Sequence, residues 1–251
     1  MTRFDVNACF GHWPYWDLRH TSAGDLVTQM ERNGIDRAAV ISLRGLLLDW
    51  RAGNDETLAA ATRYPEQLVP MATISPFLHG DGEELKRLVD AGIRGVRLYP
   101  GFHNYRLDDP FVDDICRVAA GCAIPVVIPT RPMMNWRFKP LPLETVLDLM
   151  ARHAKTTFLL SGPNYLVESQ GLVRIMGQCR NVVVEISCLQ GFNAVASLVR
   201  EVGADRVLFG TGAVLNYPAC NVAKLDHANL TTEQRQKIAC ENAHRLLGLP
   251  V

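Results

Sequence analysis

The residues able to do chemistry in this chain are few, and their positions form a pattern. Seven histidines stand among 251 residues, and imidazole is the side chain that titrates unperturbed near neutral pH. His12 and His103 are the candidates for acid–base work. Each lies a few residues beyond a predicted strand among aromatic side chains that could wall a pocket: Phe10, Trp13 and Tyr15 for the first, Phe102 and Tyr105 for the second. The alternative for both is a solvated loop histidine. Glu185 is the sharpest carboxylate, because it sits inside the apolar run Val182-Val-Val-Glu-Ile-Ser, where an acid must pair with a cation or carry a raised pKa. It could act as a general base or hold a ligand hydroxyl, or it could form a buried ion pair with Arg97 that fills the interior. Arg97 and Arg131 lie nearest the strand ends, and their planar forks suit carboxylate and phosphate. Arg19, Arg44, Arg106 and Arg137 gather in nearby loops against few loop acids, Asp17, Asp49 and Asp108, which predicts a positive mouth for a small anionic ligand. Asn7, Cys9, Tyr99, Asn164 and Thr211 complete the expected ligand-binding set. Cys9 reads as an inert buried thiol unless His12 lowers its pKa, and no G-x-S-x-G elbow surrounds Ser75, Ser161 or Ser187.

These side chains need a scaffold that brings many strand ends to one place. Short β-branched runs at 4–9, 38–43, 68–75, 95–100, 125–129, 157–161, 182–187 and 207–211 alternate with amphipathic stretches at 22–33, 55–63, 83–91, 110–120, 143–152, 167–177, 192–202 and 232–247. Eight such units in this length average about 31 residues, the size of a minimal βα unit, and predict a (β/α)8 TIM barrel with its site on the face formed by the strand C-termini. A doubly wound sheet would carry a glycine-rich turn after its first strand, and Cys9-Phe-Gly-His-Trp-Pro is not one. No linker or charge block divides the chain, which predicts one domain over 1–251. The longest irregular stretch, 130–142, carries Met133, Met134, Trp136 and Phe138 and suits a lid or a contact between copies of a homo-oligomer.

Composition narrows the partners. With 26 Lys and Arg against 26 Asp and Glu the net charge is zero, so neither nucleic acid nor an anionic membrane is expected as a partner. No apolar run reaches signal-peptide or membrane-spanning length, and the seven cysteines show no C-x-x-C pair. The expectation is a cytoplasmic protein with reduced thiols.

Six phrases, in order, resemble the amidohydrolase superfamily and its amidohydrolase-related (amidohydrolase 2) branch. They are Phe4-Asp-Val-Asn, Tyr64-Pro-Glu-Gln-Leu-Val-Pro-Met-Ala, Gly92-Ile-Arg-Gly-Val-Arg-Leu-Tyr-Pro, Ile124-Pro-Val-Val-Ile, Asp205-Arg-Val-Leu-Phe-Gly-Thr and Glu241-Asn-Ala-His-Arg-Leu-Leu-Gly-Leu. The resemblance implies hydrolysis of an amide, ester or lactone, or decarboxylation. It also implies a divalent metal, usually zinc, held by a His-x-His pair on strand one, histidines after strands five and six, and an aspartate after strand eight. Those positions fall on Asn7 and Cys9, on Pro129 or Thr130, on Gly162 and on Gly212, none of which offers the imidazole or carboxylate that zinc needs. The resulting expectation is no metal and no other cofactor. It leaves either a hydrolase-type barrel acting on a small anionic substrate without the metal, or an inactive barrel serving as a small-molecule sensor or complex subunit.

Overall fold

The computed structural model of the chain describes residues 1–76, 80–133 and 138–250. Its strands are β1 (Phe4–Phe10), β2 (Arg37–Ser42), β3 (Leu68–Pro70), β4 (Ala72–Thr73), β5 (Val96–Arg97), β6 (Val126–Pro129), β7 (Phe158–Ser161), β8 (Val182–Glu185) and β9 (Val207–Leu208). All pair in parallel, in the orders β1-β2-β3 and β4-β5-β6-β7-β8-β9. β3 and β4 occupy one barrel position split at Met71, whose N–H donates to Val40 O (2.9 Å) while Ala72 N–H donates to Gly95 O (2.8 Å). The ring closes where Val6 N–H donates to Phe209 O (3.0 Å) and Gly212 N–H to Asn7 O (2.7 Å). The predicted TIM barrel is therefore the fold, and its strands are buried, apolar runs because a parallel sheet is covered on both faces.

Helices cover the outside, and local signals set where they start. α1 (Ala23–Arg32) opens on a capping box between Ser22 and Asp25 and buries Leu26, Val27 and Met30, each contributing about 1.5–3 kcal/mol by leaving water. α4 (Gly82–Asp90), α6 (Pro110–Gly121), α7 (Leu143–Arg152), α8 (Tyr165–Gln178) and α9 (Ala194–Val202) follow the predicted stretches. Five differences from the sequence reading stand out. A short α2 (Leu43–Leu47) follows β2 directly, and α3 (Trp50–Arg63) starts five residues earlier than periodicity suggests, because the Asp49 side chain accepts from Arg51 and Ala52 N–H. α5 (Pro100–His103) and α10 (Pro218–Asp226) are unforeseen helices that each begin on a proline. The long C-terminal stretch divides into α11 (Thr232–Gln236), a π-helical turn and α12 (Asn242–Leu246). β9 is two residues long, and the glycine that follows lies tight against the interior: a Cβ on Gly210 would stand 2.3 Å from Glu185 Oε2. Among the described residues no helix is long and apolar enough to cross a membrane.

Candidate functional site

The backbone of β1 aims the first site residue. Its pairing with β2 slips between Asp5 and Ala8, a bulge that re-aims the intervening side chains. Asp5 holds this turn: its carboxylate accepts from Asn7 N–H (2.8 Å), from Thr211 N–H (3.0 Å) and from the Thr211 hydroxyl. Burial pushes the Asp5 carboxyl up to about 6, against the hydrogen bonds from Thr211 and Asn7, and the negative Glu185 adds to the rise.

Asn7 then stands between two buried charges. Its Oδ1 accepts from Arg97 Nη1 (2.9 Å), and its Nδ2 donates to Glu185 Oε1 and Ser187 Oγ, both at 3.2 Å. The ion pair between Arg97 and Glu185 that the sequence allowed is not formed. The reason is that Glu185 is already satisfied at the ends of β7 and β8. It accepts from Ser161 Oγ (2.7 Å), Gly162 N–H (3.0 Å), Ser187 Oγ (2.8 Å) and Ser187 N–H (2.5 Å). Gly162 can present that N–H because its φ of +83° suits glycine. Together with the Asn7 amide, four donors crowd Oε1, while Oε2 accepts the Ser187 N–H.

Arg97 is 1% exposed. It also donates to two neutral acceptors, Val6 O (3.2 Å) and Ala39 O (3.0 Å), and its Nε has no partner among the described residues. Beside it lies a cavity of about 20 Å3, lined by Asn7, Cys9, Arg97, Tyr99, Arg131 and Ser161 among others, which is room for about one water-sized group. Tyr99, Pro129, Arg131 and Pro132 also belong to a larger cavity of about 1030 Å3 at the mouth, whose walls are Tyr15, Phe102, Phe138, Leu141 and further prolines, with Lys139 at its edge. The walls form a connected aromatic set: Phe138 stands 5.6 Å from Trp13, 5.4 Å from Tyr15 and 6.0 Å from Phe102 between ring centroids. Burial raises the Tyr99 phenol above its ordinary value and pushes the Cys9 thiol up to about 11, so both are protonated at neutral pH.

The other predicted residues are dispersed. His12 is exposed. His103 lines neither cavity: its Nε2 meets Leu46 O (3.1 Å) between α2 and α5, and burial lowers its pKa. Arg131 reaches the mouth but is paired with Glu168 of α8 at 2.5 Å, the two side chains being 8% and 12% exposed. Asn164 caps the same region, its N–H donating to Glu168 Oε2 (2.7 Å). The positive mouth expected from the arginine count is largely neutralised, since Arg44 pairs with Glu56, Arg106 with Asp108 and Arg19 with Asp17. Two of the acids that offset the mouth arginines, Glu56 and Glu168, lie on helices rather than in loops. An acid in the first turn of the helix after β7 is the signal that could have found Glu168. The lid candidates Met134 and Trp136 and the mouth arginine Arg137 lie outside the described residues.

Residues 49–249 match the Amidohydrolase family model. The chain belongs to the amidohydrolase family. No curated protein sequence matches it. Among solved structures, this amidohydrolase-family barrel is similar to an uncharacterized TIM-barrel protein from Bordetella bronchiseptica (17% identity, TM-score 0.77, 99% of each chain covered). It is also similar to 2,6-dihydroxybenzoate decarboxylase from Rhizobium (16%, 0.73, 98% of each). A third is 5-carboxyvanillate decarboxylase from Novosphingobium aromaticivorans (16%, 0.79, 99% of this chain and 96% of that one), solved with manganese and 4-hydroxy-3-methoxy-5-nitrobenzoic acid.

That manganese corrects the expectation of no metal and no cofactor, because barrels of this type do carry a metal. The expectation rested on residue types at five strand-end positions, whereas donors can come from any loop that converges on a barrel mouth. The residues seen here fit such an ion poorly. Among the described residues no three His, Cys, Asp or Glu side chains gather into a metal-binding group. The Asn7 oxygen faces a guanidinium, and the Cys9 thiol is held protonated.

Proposed function

We propose that this amidohydrolase-family barrel takes into its mouth a small organic anion with a flat apolar body. The observation that carries this reading is the buried Arg97 guanidinium, whose acceptors among the described residues are all neutral, beside a cavity one polar group wide. A carboxylate oxygen there would meet a desolvated cation, which strengthens the attraction. The aromatic and proline walls of the larger cavity would take the rest of the molecule. Aromatic carboxylates have this shape, and the decarboxylases of similar fold are named for hydroxylated or methoxylated examples. Binding without turnover, as in a sensor or a subunit of a complex, is favoured by the state of the nearby groups: four donors crowd Glu185 Oε1 and the Cys9 thiol is protonated.

A hydrolase-type reaction on an ester, amide or lactone is the second reading, and Tyr99 favours it. This buried, protonated phenol lines both cavities beside Arg97, so the two could donate together to an oxygen on which negative charge develops. The test is thermal shift with benzoate and 2,6-dihydroxybenzoate against the neutral benzamide, run beside turnover assays on simple esters and lactones. The carboxylates are expected to raise Tm and benzamide to leave it in place; equal shifts for all three count against the anion site. Ester or lactone turnover lost in Tyr99→Phe, with benzoate binding retained, would select the second reading.

A further inference from the structure

We infer that Asn7 is a charge insulator: a neutral amide that ties Glu185 to Arg97 without letting them meet, so that the guanidinium keeps its charge for an anionic group on the ligand. Three features carry this role, which rests on Arg97 being the anion contact. First, an amide is the side chain of this length that presents an acceptor to a cation and a donor to an anion at once, and both bonds are present, Oδ1 to Arg97 at 2.9 Å and Nδ2 to Glu185 at 3.2 Å. A carboxylate at this position would neutralise Arg97 and repel Glu185. Second, Glu185 cannot swing across to Arg97 without abandoning its bonds from Ser161, Gly162 and Ser187, and leaving such buried donors unpaired is costly. Third, the backbone fixes the amide: the bulge in β1 and the bond from Asn7 N–H to the Asp5 carboxylate hold residue 7 in place. The two buried charges are thus balanced over the cluster but kept apart within it, leaving the positive end against the cavity.

The experiment relocates the negative charge. Isothermal titration with benzoate and benzamide gives, for each protein, the ratio of their dissociation constants. In the native chain benzoate is expected to bind about tenfold or more tightly than benzamide. In Asn7→Asp the carboxylate lies on Arg97 and the ratio should fall towards one. Because that variant also sets two acids side by side and could fail to fold, the double variant Asn7→Asp/Glu185→Gln is made with it: the formal charge of the cluster is unchanged and only its place moves. The ratio should collapse there too, in a protein that keeps the native circular dichroism and a cooperative melt. A folded variant of either kind that retains the native ratio overturns the insulator and leaves the anion site standing. A native ratio near one overturns the anion site and the insulator with it.

Discussion

Arg97 and Arg131 both line the small cavity at the barrel mouth, and both carry buried side chains, yet they are treated oppositely. On the β6 and β7 side, Arg131 meets a carboxylate directly, Glu168. On the β1 and β5 side, Arg97 meets an amide and two backbone carbonyls. A directly paired buried charge has little attraction left for a newcomer, whereas one solvated only by neutral dipoles gains when an anion arrives. The first arginine is accordingly a strut and the second a receptor. The difference lies in what each strand-end neighbour is rather than in the arginines themselves.

Substitution should separate the two roles. Arg131→Met strands Glu168 in a nearly buried position and is expected to cost about 3 kcal/mol, on the order of 10 °C in Tm, read by thermal denaturation. Its effect on the ratio of benzoate to benzamide affinity should be the smaller of the two arginine variants. Arg97→Met should remove the preference for benzoate, a loss of about tenfold in affinity by calorimetry. A preference that survives in Arg97→Met but vanishes in Arg131→Met would invert the assignment.

The Arg97 side also carries a pH dependence. The Asp5 carboxyl is raised to about 6 by burial, above its value in the unfolded chain, so the folded state binds this proton more tightly. Its contribution to stability is therefore fully present in acid, below about 4, and is lost as pH rises through 6. Asp5→Asn, which is neutral throughout, should remove that slope. Between pH 4 and pH 7 the difference in Tm between native and variant proteins should change by several degrees, corresponding to on the order of 1–3 kcal/mol. A constant difference across the range would show that Asp5 does not titrate there.

Much of the fold was legible because periodicity is a local property. All eight barrel positions lie where alternating apolar runs predicted them, from Phe4 at the start of β1 to Val207 at the start of β9. The helices that were missed are short and positioned by single residues, such as Asp49 ahead of α3 and Pro100 opening α5. The site was legible in its membership more than in its wiring. Asn7, Cys9, Arg97, Tyr99 and Arg131 do line one cavity, because strand ends converge in a barrel. That Glu185 would be saturated by Ser161, Gly162 and Ser187 rather than paired with Arg97 depends on rotamers and on the bulge in β1, and neither leaves a trace in spacing. His12 and His103 stand out in the sequence for their aromatic neighbours, but His12 is exposed and His103 packs against Tyr99 and Tyr105, and neither imidazole lines the two cavities.

The aromatic wall offers the gentlest test of how the mouth divides its work. If the Arg97 side reads charge, the wall should read only shape, and its loss should weaken charged and neutral ligands alike. Phe138 is the residue to remove, since it touches Trp13, Tyr15 and Phe102 and so joins the loop after β1 to the loop after β6. Phe138→Ala should forfeit part of the ring-to-ring contact, worth about 0.5–1.5 kcal/mol, and weaken benzoate and benzamide by a similar factor of about three, leaving their ratio at its native value. A drop confined to benzoate would mean that the wall also shapes the field at Arg97, and the separation between a floor that selects charge and a mouth that selects the body would have to be given up.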